Sequence, residues 1–272
     1  MSGGQSAKIF DLPEPFLLVP AEVRSHDGGY AAGAGKAVAG WVVEGHPQMD
    51  LSEVDISRFH GFENGSKYLY DRTVESLGLL YAMHWPKRQP ETARLTRQSP
   101  LHDRLAAAGA AFGELRGWER PNWYAPDGVA PRYEYSYQRQ NWFPYSAEEH
   151  RAVRETAGLF DQTSFAKFLL QGPDAESVLQ QICANDVGGE PGHVVYTAML
   201  NERAGIEADL TVTRMADDQY MIVTGGAVAR RNFTWVKDHI PGDARAYLTD
   251  VSSAYATLSV MGPNARAILA GL

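Results

Sequence analysis

The stretch 193–225, HVVYTAMLNERAGIEADLTVTRMADDQYMIVTG, constrains this chain more than any other part of it. Its alternation predicts three consecutive β-strands, over 194–200, 206–213 and 220–224. Asn201-Glu202-Arg203-Ala204-Gly205 and Met215-Ala216-Asp217-Asp218 carry turn chemistry. Connections this short leave no room for crossovers, so the strands must be antiparallel neighbours. In the middle strand Ala208, Leu210 and Val212 share one face, and Glu207, Asp209, Thr211 and Thr213 the other. Such a strand rests on a core and turns carboxylates toward something polar. A hairpin centred near Arg203 sets Tyr196 roughly opposite Asp209 or Leu210, bringing an aromatic ring and a carboxylate to one patch. The alternative is an ordinary half-exposed sheet whose Glu207 and Asp209 face water.

Composition narrows the setting. The chain has 272 residues, 44% hydrophobic and 21% charged, an ordinary globular balance with room for one large or two small domains. A net charge of −8 and the lack of a basic run speak against a nucleic-acid partner. The single cysteine, Cys183, excludes an internal disulfide framework and a Cys-rich zinc site, and the eight histidines show no ligand spacing, so no metal is expected. No apolar run approaches the ~18 residues of a membrane span, so no membrane partner is expected either. Residues 1–6 lack a basic segment leading into an apolar one, hence no secretory signal. We expect a soluble intracellular chain.

Taken in order, Phe16-Leu17-Leu18-Val19 between Pro15 and Pro20 predicts a short buried strand. The small residues 28–36 lead into a helix over 37–44, ending at Gly45. Gly33-Ala34-Gly35 before a helix permits close backbone approach by a phosphate or ring, but it is only a fragment of a GxGxxG fingerprint. Residues 50–59 alternate loosely. Leu69, Val74, Leu77, Leu80 and Tyr81 predict a helix that Trp85-Pro86 breaks. Ser99-Pro100 opens a helix over 101–108. The aromatic-dense run 113–142 predicts a packed irregular loop. A helix over 148–156 is expected to be capped by Ser146 and to end at Gly158.

A repeat follows. Phe168-Leu169-Leu170-Gln171-Gly172-Pro173-Asp174-Ala175 matches Leu258-Ser259-Val260-Met261-Gly262-Pro263-Asn264-Ala265 at an offset of 90 residues. Each is an apolar strand running through Gly-Pro into a helix start. Two such units around antiparallel strands predict an α+β domain of pseudo-symmetric halves, an antiparallel sheet with flanking helices. The second helix has barely begun at Leu272, so we expect an internal segment cut at its C-terminus.

These residues carry a resemblance. Glu149-His150-Arg151-Ala152-Val153-Arg154, Ala157-Gly158-Leu159-Phe160-Asp161, Ala184-Asn185-Asp186-Val187, Tyr196 with Met199-Leu200-Asn201, and Gly205 with Asp209-Leu210 resemble the folate-binding aminomethyltransferase fold of glycine-cleavage T-protein. Upstream, Gly33-Ala34-Gly35-Lys36-Ala37, Trp41-Val42-Val43-Glu44-Gly45, Met49-Asp50-Leu51 and Gly117-Trp118-Glu119-Arg120-Pro121-Asn122-Trp123 are similar to the sarcosine/dimethylglycine dehydrogenase family. The resemblance implies three parts: 1–45 as the C-terminal remnant of an FAD-dependent oxidoreductase domain, 46–98 as a small linking domain, and 99–272 as a truncated aminomethyltransferase-like folate-binding domain. It implies a flavin- and tetrahydrofolate-dependent oxidative N-demethylase. FAD is needed only by the intact protein, this segment alone being inactive. The partners would be an N-methyl amine and folate, with the one-carbon unit captured as methylene-tetrahydrofolate. Carried over by position, Asp209 is the catalytic carboxylate near the folate, Tyr196 its neighbour, Val223 a pterin-pocket residue, and Gly33 and Gly35 a flavin-domain remnant. Thr213 and Gly225 depart from the pattern, standing where T-proteins often have tyrosine and asparagine. Two other readings remain: a free-standing aminomethyltransferase, against which residues 28–90 argue, and a non-catalytic regulatory homologue, against which Asp209 argues.

Overall fold

A computed structural model describes residues 28–45, 48–49, 51 and 58–272. The strand expected at 16–19 and most of the 50–59 segment lie outside the described residues. The chain divides into two compact units, Met1–His60 and Gly61–Leu272.

In the first unit α1 spans Gly28–Glu44, so the glycine-rich stretch expected to precede the helix is itself helical. Each glycine costs a helix interior about 1 kcal/mol relative to alanine, and the five alanines Ala31, Ala32, Ala34, Ala37 and Ala39 favour it. The helix stops where expected. Gly45, at φ 78°, takes the left-handed turn and donates its N–H to Trp41 O at 2.8 Å.

The second unit opens with α2 (Ser66–Leu79) and α3 (His102–Ala107), close to the expected helices. The expected irregular loop is in part a hairpin, β1 (Ala110–Leu115) with β2 (Trp118–Tyr124). Its two-residue turn is Arg116-Gly117, with φ of 48° and 81°, the doubly positive geometry that matches strand twist. Pro121 sits in β2 beside the register shift at Ala111/Phe112, a place where a missing N–H is tolerated. Trp118 and Trp123 are buried. Next, α4 (Phe143–Glu155) starts a turn earlier than expected because Pro144 fits its first turn; Ser146 is inside it and makes no cap. Gly158 is the first residue of β3 (Gly158–Asp161), not a helix end.

The sheet that organises the unit is built from β4 (Ala166–Gln171), β5 (Val194–Leu200), β6 (Ile206–Ala216), β7 (Gln219–Thr224) and β8 (Tyr247–Asp250). Its order is β5-β6-β7-β4-β8, and every pair is antiparallel. Two helices, α5 (Ala175–Ile182) and α6 (Ala229–Asp238), bury Val178, Leu179, Ile182, Ala229 and Val236 with Phe168, Leu170, Leu210, Val212 and Ile222 of the strands. Each of these side chains other than Ala229 stabilises the fold by roughly 1.5–3 kcal/mol on burial. A separate pair joins β3 to β9 (Leu258–Met261), followed by α7 (Ala265–Leu269). The fold is α+β, as expected. Among the described residues no helix is long and apolar enough to cross a membrane.

Candidate functional site

Helices cover one face of the five-stranded sheet, and Tyr196, Asp209 and Val223, singled out in the sequence, lie on the other. Strand pairing puts Tyr196 of β5, Thr211 of β6, Val223 of β7 and Lys167 of β4 in one row across that face. Asp209, two residues before Thr211, stands on the same face.

The hairpin register differs from the expected one. Tyr196 lies opposite Thr211, and Asp209 opposite Ala198. An irregularity between Met199 and Leu200 shifts the pairing by one residue. That shift decides the face. Opposite Leu210, Tyr196 would point into the core; with the bulge it points the way Asp209 does. The ring then reaches diagonally, and Tyr196 Oη donates to Asp209 Oδ2 at 2.8 Å. The bond holds the phenol pKa above its ordinary value, chiefly by favouring the protonated donor and then by the carboxylate's charge. Both side chains are exposed, Tyr196 at 67%. Among the described residues Asp209 Oδ1 has no hydrogen-bond partner.

Val223, half-buried, is separated from the pair by Thr211. Beyond it Lys167 is buried at 2% exposure, and its Nζ donates to Thr163 O at 2.8 Å. Burial, aided by the nearby Arg97 charge, pushes this ammonium down to about 8, with Asp250 and Asp161 opposing. The sequence reading passed over Lys167. Its signal was a lysine inside the apolar run Ala166-Lys167-Phe168-Leu169-Leu170.

The backbone around Asp209 is fixed from two directions. Asn201 closes the β5–β6 turn, its Oδ1 accepting from Arg203 N and Gly205 N at 3.0 and 2.9 Å. Its Nδ2 donates to Glu207 Oε1 at 2.7 Å. From α6, Arg231 Nη2 donates to Glu207 Oε2 at 2.7 Å and Nη1 to Glu207 O. Glu207 is therefore a tie between turn and helix, not the water-facing carboxylate of the alternative reading.

Gly33 and Gly35 are not near a helix start. They lie past the first turn of α1, where backbone N–H groups are spent on the helix, and a Cβ at either would meet nothing within 4 Å. They make no dinucleotide cradle among the described residues. No cluster of three or more metal-ligating side chains occurs among those residues either.

Comparison with known proteins matches two successive spans of the chain. A family model described as GCVT N-terminal domain matches residues 101–272, and one described as FAD dependent oxidoreductase central domain matches 44–99. The chain is 47% identical over 253 residues to 4-methylaminobutanoate oxidase (formaldehyde-forming) of Paenarthrobacter nicotinovorans, covering 93% of this chain and 31% of that protein. It is 33% identical over 276 residues to mitochondrial sarcosine dehydrogenase of Homo sapiens, covering 87% of this chain and 30% of that protein. The chain thus spans about a third of the length of these curated relatives. Among solved structures, glycine cleavage system aminomethyltransferase T from Bartonella henselae superposes with a TM-score of 0.53 at 28% identity, over 65% of this chain and 43% of that one.

Proposed function

This chain belongs to the GCVT N-terminal domain family, in the form joined to an FAD dependent oxidoreductase central domain, and on that premise we propose that Asp209 and Tyr196 form part of a one-carbon transfer site. In this reading the chain is the folate-handling segment of an FAD- and tetrahydrofolate-dependent oxidative N-demethylase. Residues 1–45 would close a flavin domain, 46–98 link it, and 99–272 hold folate; the matched spans support that division. A free-standing aminomethyltransferase is disfavoured by the match over 44–99.

Tetrahydrofolate, when bound, supplies the amine nitrogen that accepts the one-carbon unit. The residues fit such a group: an exposed carboxylate with one oxygen held and one open, on the same sheet face as an apolar side chain, Val223, at which a flat ring can rest. Asp209 would accept a proton from, or balance the charge of, a nitrogen that becomes cationic. Tyr196 holds Oδ2 and leaves Oδ1 for the ligand. Gly33 and Gly35, inside α1, offer no free backbone N–H groups to FAD.

The 2.8 Å Tyr196–Asp209 contact carries this reading. Its test is Asp209→Asn in the complete oxidoreductase that carries this segment. Amine-dependent flavin reduction should persist, while transfer to tetrahydrofolate falls roughly 10²-fold or more and formaldehyde is released in its place. Transfer at the parent rate would refute it, leaving Asp209 a solvated surface carboxylate.

A further inference from the structure

The carboxylate-bearing part of β6 has lost its neighbour. Pairing of β6 with β7 begins at Thr211 opposite Val223, and β7 ends at Thr224. The chain then turns away through Gly226–Val228 into α6. Asp209 and Glu207 therefore have β5 on one side and no ladder on the other. An unpaired strand end of this kind frays unless its carbonyls are taken up elsewhere.

They are taken up by side chains. Thr224 Oγ1 donates to Asp209 O at 3.2 Å, and Asn232 Nδ2 of α6 donates to Thr224 Oγ1 at 2.8 Å. One turn position along, Arg231 Nη1 donates to Glu207 O. Thr224 and Asn232 are 2% and 1% exposed, so water does not compete for this relay. A hydroxyl has one proton. Because Oγ1 accepts from the Asn232 amide, its own proton is free to go to Asp209 O.

We infer that Thr224 and Asn232 are positioning residues for Asp209, the relay from α6 replacing the missing strand so that the carboxylate stays on the Tyr196 face. The inference rests on the folate reading only for its purpose. The mechanical claim can be measured without folate.

Tyr196 is the reporter. Its phenol bonds to Asp209 Oδ2, so any displacement of Asp209 returns its titration toward ordinary tyrosine. A change in global stability alone would not move it. The ζ-carbon resonance of Tyr196, assigned with Tyr196→Phe, is titrated in the 272-residue chain. Asp209→Asn defines the full loss. Thr224→Val, isosteric but without a hydroxyl, should give at least roughly half of that downward change, on the scale of a net hydrogen bond. Thr224→Ser restores the donor and should track the parent. Asn232→Leu, which leaves the sheet untouched, should shift in the same direction as Thr224→Val. The inference is overturned if Thr224→Val and Asn232→Leu leave Tyr196 unmoved while Asp209→Asn moves it. It is overturned as well if Asp209→Asn itself has no effect. Folate retention, measured separately by equilibrium dialysis in the complete oxidoreductase, tells the two claims apart. A moved Tyr196 with no folate bound by the parent sinks the folate reading and leaves the relay standing.

Discussion

Lys167 occupies the same row of the sheet as Tyr196, Thr211 and Val223, but at its buried end. An ammonium there has lost most of its water and keeps one carbonyl, Thr163 O, as acceptor. Its pKa falls from 10.5 to about 8, so between those values the unfolded chain holds a proton that the folded chain has released. Stability must therefore rise as pH climbs through that window, and the cost of burying the charge is fully present below it. We expect Lys167→Met to remove this slope and, near neutral pH, to match or exceed parent stability by roughly 1–3 kcal/mol. Denaturant unfolding at several pH values between 7 and 10 checks this; a parent curve as flat as the variant's over that range would contradict it. The residue was legible in the sequence only as an oddity, because a lone lysine in an apolar run does not say which groups will surround it. Asp209 and Tyr196 were more legible, since alternation alone places the carboxylate off the core face. What alternation could not supply was the bulge at Met199/Leu200 that makes their contact diagonal.

The strand–Gly-Pro–helix unit occurs twice, and its two copies show what is local in this fold and what is not. In both, the glycine has positive φ, 132° at Gly172 and 116° at Gly262. In both, the helix-opening N–H returns to the glycine carbonyl at 3.0 Å, from Ala175 and from Ala265. These features follow from a few adjacent residues, which is why the repeat could be read from sequence. The partners differ. The first turn packs against the segment entering β8, where a Cβ on Gly172 would lie 2.0 Å from Arg245 O, and Arg245 N donates to Asp174 Oδ2 at 2.8 Å. The second packs against the end of α4, where a Cβ on Gly262 would lie 2.6 Å from Val153 O. Long-range partners of this sort are invisible in a local pattern. The β1–β2 hairpin was missed for a related reason: aromatic residues and Pro121 hide a strand whose only clear mark is the Arg116-Gly117 turn. We predict that Gly172→Ala costs roughly 3 kcal/mol or more, combining backbone strain with a clash against backbone that cannot swing aside. Gly242→Ala, where a Cβ meets nothing within 4 Å, should be nearly neutral. Equal unfolding midpoints for the two variants would mean that the Gly172 turn relaxes at no cost.

Across the whole molecule, the two cofactors of the proposed function make different demands on the backbone. A dinucleotide is held where a parallel strand runs into a helix whose first N–H groups are free to meet the pyrophosphate. Among the described residues every sheet pairing is antiparallel, and the one parallel contact is the isolated Arg97–Trp118 bridge. The Gly33/Gly35 pair, which the sequence suggested as a flavin-domain remnant, lies beyond the first turn of α1 with its amides engaged. Among the described residues nothing builds a flavin cradle, whereas the exposed Tyr196–Asp209 pair is assembled within one sheet of this chain. From this we predict that the purified 272-residue chain is colourless, with no flavin absorbance and no saturable FAD uptake in equilibrium dialysis, and shows no oxidation of sarcosine. Folding has to be established in the same sample by the cooperative loss of its tryptophan signal on denaturation, so that an unfolded chain is not mistaken for a folded one without flavin. A folded chain that carries flavin near one-to-one occupancy would overturn the division.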